Sequence, residues 1–112
     1  MSENKVEREI SEKVEDSQFF VCWGFMRRRL KLEKTELLVY AIIYGFYRSG
    51  CDFKGGVRYL TEWTGNGATA VKSALSSLLK KGYIRKRLNV IGGVTYAEYS
   101  IDMSAIEDIE VD

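Results

Sequence analysis

No histidine occurs anywhere in the 112 residues. That removes the commonest general base and the commonest metal ligand together. Cysteine is almost as scarce: Cys22 and Cys51 stand alone, with no C-x-x-C spacing. Neither a zinc site nor a thioredoxin-like pair can be drawn from them, and they fit buried or free thiols in a reducing cytoplasm. Without histidine there is no nucleophile–base pair, and the middle of the chain carries no carboxylate pair. Gly55-Gly56 and Gly92-Gly93 read as turn glycines, because neither precedes G-K-S/T nor fits G-x-G-x-x-G. No catalysis, cofactor or metal is expected. Long apolar runs are also missing. The longest uncharged stretch, Leu37 to Tyr47, falls short of the about 20 residues that span a bilayer. The charged N-terminus does not read as a signal peptide, so a soluble cytoplasmic protein with no membrane partner is expected.

What is present fits one domain with a single hydrophobic core. The formal net charge of +1 conceals a strong asymmetry. Residues 19–101 hold 14 basic and 5 acidic side chains, whereas residues 1–18 hold 3 basic and 6 acidic ones. Residues 102–112 hold 5 acids and no base. A basic middle between acidic ends suits an anionic partner, of which nucleic acid is the commonest. The plainer meaning is a solubilising surface with tails that fold back on it.

In the opening segment Val6, Ile10 and Val14 are spaced by four, a thin stripe that fits a short amphipathic helix or a frayed tail. The run Phe19-Phe20-Val21-Cys22-Trp23-Gly24-Phe25-Met26 is too apolar for solvent and reads as an extended segment or turn along the core. Arg27-Arg28-Arg29 follow at once. A helix is expected from Glu33 to Arg48, stopped by Gly50. Its uncharged stretch covers every side, so it must be buried on most faces. The aromatic run can cover it, and a homodimer contact is the other way to hide it. Gly45 costs about 1 kcal/mol against Ala in a helix interior, and close packing is the expected reason for it. Asp52-Phe53-Lys54 is strand-like. Val57 to Thr64 then forms a short helix with Val57, Leu60 and Trp63 inward. Most of the tyrosines and tryptophans belong to the core, and no stacking platform for single-stranded bases is apparent.

Gly65-Asn66-Gly67 breaks that helix, and Ala68 to Lys81 forms the next. Val71, Ala74, Leu75, Leu78 and Leu79 fall at i, i+3, i+4, i+7 and i+8, the amphipathic template. Lys80-Lys81-Gly82 closes it with cations at the negative end and Gly at C′. Helix, three-residue glycine turn, helix is the helix-turn-helix pattern. Tyr83 to Val90 and Val94 to Ile101 are β-rich runs around Gly92-Gly93, a hairpin signal. That loop pairs Ile91 with Val94, Leu88 with Ala97, Arg87 with Glu98 and Ile84 with Ile101. One face then collects Ile84, Leu88, Val90, Thr95, Ala97, Tyr99 and Ile101, with Lys86 out of place. The other collects Arg85, Arg87, Asn89, Tyr96, Glu98 and Ser100. The expected fold is α+β, a winged helix-turn-helix over residues 19–101. A charged segment, 1–18, precedes it and an acidic tail, 102–112, follows.

From Leu32 to Ile101 the residues L-E-K-T-E-L-L-V-Y-A-I-I-Y-G-F, then F-K-G-G-V-R-Y-L-T-E-W-T-G, then A-V-K-S-A-L-S-S-L-L-K-K-G-Y-I carry a resemblance. The chain resembles the N-terminal winged-helix domains of replisome-organiser and DnaD-type replication proteins of Gram-positive bacteria, their phages and conjugative elements. The resemblance implies a scaffold for DNA binding or self-association in replication initiation, without catalysis. Relatives usually carry a longer C-terminal region, so the function here is expected to rest on the winged helix and its tails. One departure stands out. Gly67-Ala68-Thr69-Ala70-Val71 puts small residues where the family pattern has Ser and cations at the start of the recognition helix.

In the usual docking of such a fold the helix 68–81 enters the major groove by its N-terminal half. Asn66, Thr69, Lys72, Ser73 and Ser76 point outward there, and Asn, Thr and Lys can each meet a base edge or a phosphate. Arg85, Arg87 and Asn89 on the outer wing face are candidates for backbone or minor-groove contact, as is Arg58 for a phosphate. Arg87 can instead be satisfied by Glu98 across the strand, and polar residues on the helix can be merely solvated. The leading expectation is a double-stranded-DNA-binding winged-helix protein of a phage or mobile element, acting in replication or transcriptional control and dimeric. The alternative is a protein-interaction module on the same scaffold that binds or inhibits a replication or host protein.

Overall fold

The aromatic run does not remain extended throughout. In the computed structural model, which describes residues 14–109, Gly24–Arg28 forms a short helix, α1, that buries Phe25 and Met26. Phe20 and Trp23 pack against the core, whereas Phe19 is 81% exposed and Val21 and Cys22 face solvent. The expectation that the whole run avoids water is therefore corrected. An extended strap turns alternate side chains away from the body it crosses.

Leu30 and Leu32 are buried, and the chain reverses between them and the next helix. The Leu32 N–H donates to the Met26 carbonyl at 3.0 Å, and Arg27 Nη1 donates to the Leu32 carbonyl at 2.7 Å. This tight path puts Lys31 and Lys34 at φ values of 61° and 52°. Left-handed lysines cost on the order of 1–3 kcal/mol each, and the buried leucines on either side of Lys31 hold the path in place.

Helix α2, Lys34–Arg48, starts one residue after the expected position, with Glu33 as its N-cap. Val39 through Tyr44 are all buried, as a helix without a polar side requires. Phe25 of α1 meets the rings of Tyr40 and Tyr44, and the helix Ala68–Lys81 and the strand Val94–Ile101 cover other sides. Gly45 is not closely packed: a Cβ there would meet nothing within 4 Å. It borders a cleft between residues 17–20 and the helices instead.

The tightly packed glycine is Gly55. A Cβ there would sit 2.7 Å from Phe53 Cε1 and 3.1 Å from Tyr59 Cβ. It leads into α3, Gly56–Thr64, which buries Tyr59 and Leu60 and half-buries Val57 and Trp63. After Gly65-Asn66-Gly67 comes α4, Ala68–Lys81, with Val71, Ala74, Leu75 and Leu78 buried. The expected periodicity and both ends are met.

Strands β1, Ile84–Ile91, and β2, Val94–Ile101, form the antiparallel hairpin in the expected register, from Ile84↔Ile101 to Ile91↔Val94. Gly92 and Gly93, at φ 59° and 81°, supply the two positive values that a tight two-residue turn demands. Phe53 extends the hairpin by one bridge to Tyr99, with hydrogen bonds of 2.8 and 2.9 Å. The strand-like reading of Asp52-Phe53-Lys54 thus holds at its centre.

The assignment of a continuous inner face does not hold. Ile84, Tyr99 and Ile101 are buried, but Leu88 and Val90 are 63% and 65% exposed. Helix α4 and Phe53 reach only the base of the hairpin, so its outer half stands clear of the core. Beyond β2, Met103–Ala105 makes one 3-10 turn; Ile106 is buried and Ile109 packs beside it. At the other end Val14 packs against the core, while Val6 and Ile10 lie outside the described residues. Among the described residues no helix is long and apolar enough to cross a membrane. Among the described residues the architecture is α+β, four helices followed by a two-stranded antiparallel hairpin.

Candidate nucleic-acid interface

The outward side of α4 is polar and open. Thr69, Lys72, Ser73 and Ser76 share one face by helical spacing, and all four are exposed. None of their side chains has a partner among the described residues. Asn66, in the turn before α4, is partly engaged: its Nδ2 donates to Thr35 Oγ1 at 2.8 Å, and its backbone N–H donates to Thr64 Oγ1 at 3.1 Å. The amide oxygen has no partner among the described residues. The bond to Thr35 also holds the start of α2 against the turn, one residue from exposed Lys34. Arg58 projects from α3 with no ion pair among the described residues, although Thr61 Oγ1 donates to its carbonyl at 2.7 Å.

The hairpin residues are placed differently. Glu98 is only 4% exposed, and the others gather around it. Arg87 Nη2 lies 2.8 Å from Glu98 Oε1, Asn89 Nδ2 donates to Oε2 at 3.0 Å, and Lys54 Nζ lies 3.9 Å from Oε2. Hydrogen bonds from Arg87 and then Asn89, helped by the two cations, hold this carboxyl below the usual carboxylate range despite its burial. Arg87 also faces Asp52 at 3.7 Å, and Arg85 Nε faces Asp102 at 3.5 Å. Arg85 and Arg87 nonetheless keep over two-thirds of their side-chain surface in solvent. For either to swing toward an anion it must give up a covered carboxylate, Asp102 for Arg85 and Glu98 for Arg87.

Two features escaped sequence reasoning. The expected Arg87–Glu98 cross-strand pair is present, but the burial of Glu98 and its extra arms were not foreseen. The signal was available: once Phe53 faces Tyr99, antiparallel geometry sets Lys54 opposite Glu98. Lys34 carried no such signal, since its place depends on the Asn66–Thr35 bond. The triple arginine separates into different roles. Arg27 caps the Leu32 carbonyl and lies 3.7 Å from Glu33, Arg29 pairs with Asp108 at 3.0 Å, and Arg28 is exposed without an ion pair among the described residues.

Pairing uses up most of the negative charge of the basic middle. Glu33, Glu36, Asp52 and Glu98 each face a cation. Arg28, Lys31, Lys34, Arg58, Lys72, Lys80 and Lys86 are exposed and make no ion pair among the described residues. The described surface therefore carries surplus positive charge on α1, α4, β1 and the connection into α2, whereas on α3 the exposed Glu62 balances Arg58. No protein-family model and no curated protein matches this chain.

Proposed function

We propose that this chain is a winged helix-turn-helix protein that binds double-stranded DNA, with α3 and α4 as the helix-turn-helix and the hairpin as the wing. The observation that carries this reading is the surplus of exposed cations on α4, the hairpin and the connections around them that make no ion pair among the described residues. Such a surplus attracts a polyanion at long range and neutralises phosphates on contact. The polar, partnerless face of α4 supports the same reading, because a recognition helix must keep its outward groups available for base edges. Arg58 and Lys34 supply phosphate contacts, Asn66, Thr69, Lys72 and Ser73 face the groove, and Arg85, Arg87 and Asn89 meet the backbone beside it. The resemblance to replisome-organiser and DnaD-type domains read in the sequence favours a role in replication initiation, with transcriptional control the neighbouring role. Titration of mixed-sequence duplex DNA at low ionic strength tests the reading: binding supports it, and its absence contradicts it.

A second reading, a protein-interaction module on the same scaffold, draws on two observations. Arg87 and Asn89 are occupied by Glu98, and α4 opens with Gly67-Ala68-Thr69-Ala70 rather than with cations. Surface charge favours the first.

A further inference from the structure

The outer half of the hairpin has an apolar surface that the chain itself does not cover. Leu88 through Ala97 contain no charged residue. Leu88 and Val90 project from one side and Ile91, Val94 and Tyr96 from the other, all exposed. A two-stranded hairpin is marginal in water without an apolar face to pack against something, and contiguous exposed apolar side chains mark an interaction site. The apex is slim, because Gly92 and Gly93 carry no side chains. A tip that is apolar on both sides fits a recess better than a flat surface.

The same chain carries such a recess. The cleft beside Gly45 has a volume of about 400 Å³ and no charged residue in its lining. Phe20, Ile42, Phe46, Tyr59 and Trp63 form its apolar walls, and Phe19, 81% exposed, stands at its edge. Its size lies within the range of pockets that enclose an inserted group. Gly45 is what opens it: any side chain at that position would project into free space.

We infer that this chain self-associates by inserting the Ile91-Gly92-Gly93-Val94 tip of one copy into the Gly45 cleft of a second copy. The match in charge argues for this occupant. On a chain that is 29% charged, tip and cleft are both free of charge. A polyanion would be met by cations, and the tip has none. Reciprocal insertion closes as a twofold dimer, in which each copy gives its tip and receives the other's. The Ile91–Val94 tip and the cleft lining include none of the residues proposed to meet DNA.

Sedimentation velocity of the full chain over a concentration series tests this. The wild-type chain forms a dimer. Val94→Glu, at an exposed position that leaves folding intact, weakens the dimer at least tenfold, because a buried carboxylate has no partner in an apolar cleft. Gly45→Leu, which fills the cleft, does the same, and Phe19→Glu at the edge gives the same answer should Gly45→Leu fail to fold. Mixing Val94→Glu with the cleft variant restores a heterodimer, since one intact tip meets one intact cleft. A wild-type chain that stays monomeric at every concentration overturns the inference. So does a cleft variant that dimerises like wild type, or a mixture that remains monomeric.

Discussion

Arg87 and Glu98 face each other across the hairpin at 2.8 Å, the guanidinium mostly in solvent and the carboxylate almost wholly out of it. The pair is asymmetric. Glu98 needs its partners, with Asn89 and Lys54 sharing the load, whereas Arg87 can leave at little cost to itself. A phosphate approaching the hairpin competes with Glu98 for this arginine. Glu98→Gln keeps an acceptor for Asn89 and frees Arg87. Duplex affinity at low salt then rises about three- to tenfold, and the salt dependence steepens by about 0.9 in log–log slope for one added phosphate contact. Fluorescence anisotropy of a labelled duplex measures both. Unchanged affinity would show that Arg87 never meets the nucleic acid.

The same carboxyl sets an acid limit on stability. Its hydrogen bonds from Arg87 and Asn89 lower its folded pKa, so the ionised form stabilises the fold at neutral pH. That contribution is present above the ordinary carboxylate value of about 4.3 and is lost as pH falls through the lower folded value. Asp102, hydrogen-bonded by Ser104 and facing Arg85, shifts the same way. Thermal unfolding followed by circular dichroism shows the midpoint dropping below about pH 4, and Glu98→Gln makes that drop shallower.

Two glycines, one inside α2 and one capping α3, respond in opposite directions. Gly45 lies in the interior of α2 with open space beside it, so Gly45→Ala stabilises by about 1 kcal/mol and raises the midpoint by about 4–8 °C. Gly55 has Phe53 Cε1 at 2.7 Å from any Cβ, and Phe53 is fully buried. Gly55→Ala therefore costs about 1–3 kcal/mol through displacement of the ring. Chemical denaturation of the two variants side by side measures this contrast.

Tyr40 is fully buried, and its hydroxyl has no hydrogen-bond partner among the described residues. Burial pushes its phenol well above the ordinary range. A buried hydroxyl without a partner is a cost that phenylalanine does not carry. Tyr40→Phe changes stability by less than about 1 kcal/mol, in the stabilising direction. A loss of about 2 kcal/mol in denaturant titration would show that the hydroxyl is satisfied after all.

The helices and the hairpin were legible because each is written as a local period. Val71 to Leu79 repeats at helical spacing, and Gly92-Gly93 fixes a register that a one-residue slip would scramble. Burial along the hairpin was not legible. Leu88 and Val90 have the right period for an inner face, but the body ends at the base of the strands. Alternation says which side a residue faces and not whether anything lies there. Gly45 shows the same limit: its cost in a helix was evident, while the reason, a cleft made by residues 17–20 and α3, depends on distant parts of the chain. For the candidate site, the outward set on α4 followed from spacing alone. The Arg87–Glu98 pair followed from the register, but the engagement of Asn66 by Thr35, of Arg87 by Asp52 and of Glu98 by Asn89 and Lys54 required tertiary structure.

The salt dependence of duplex binding tests the central claim most directly. Wild-type chain, Arg58→Ala and Lys72→Ala are compared on one mixed-sequence duplex from low to moderate ionic strength. Both cations are exposed and unpaired among the described residues, so neither substitution harms the fold. The account predicts a linear fall of log K with log salt, made shallower by about 0.9 for each cation removed from a phosphate. Wild-type binding that ignores salt, or the same slope in all three chains, would contradict it.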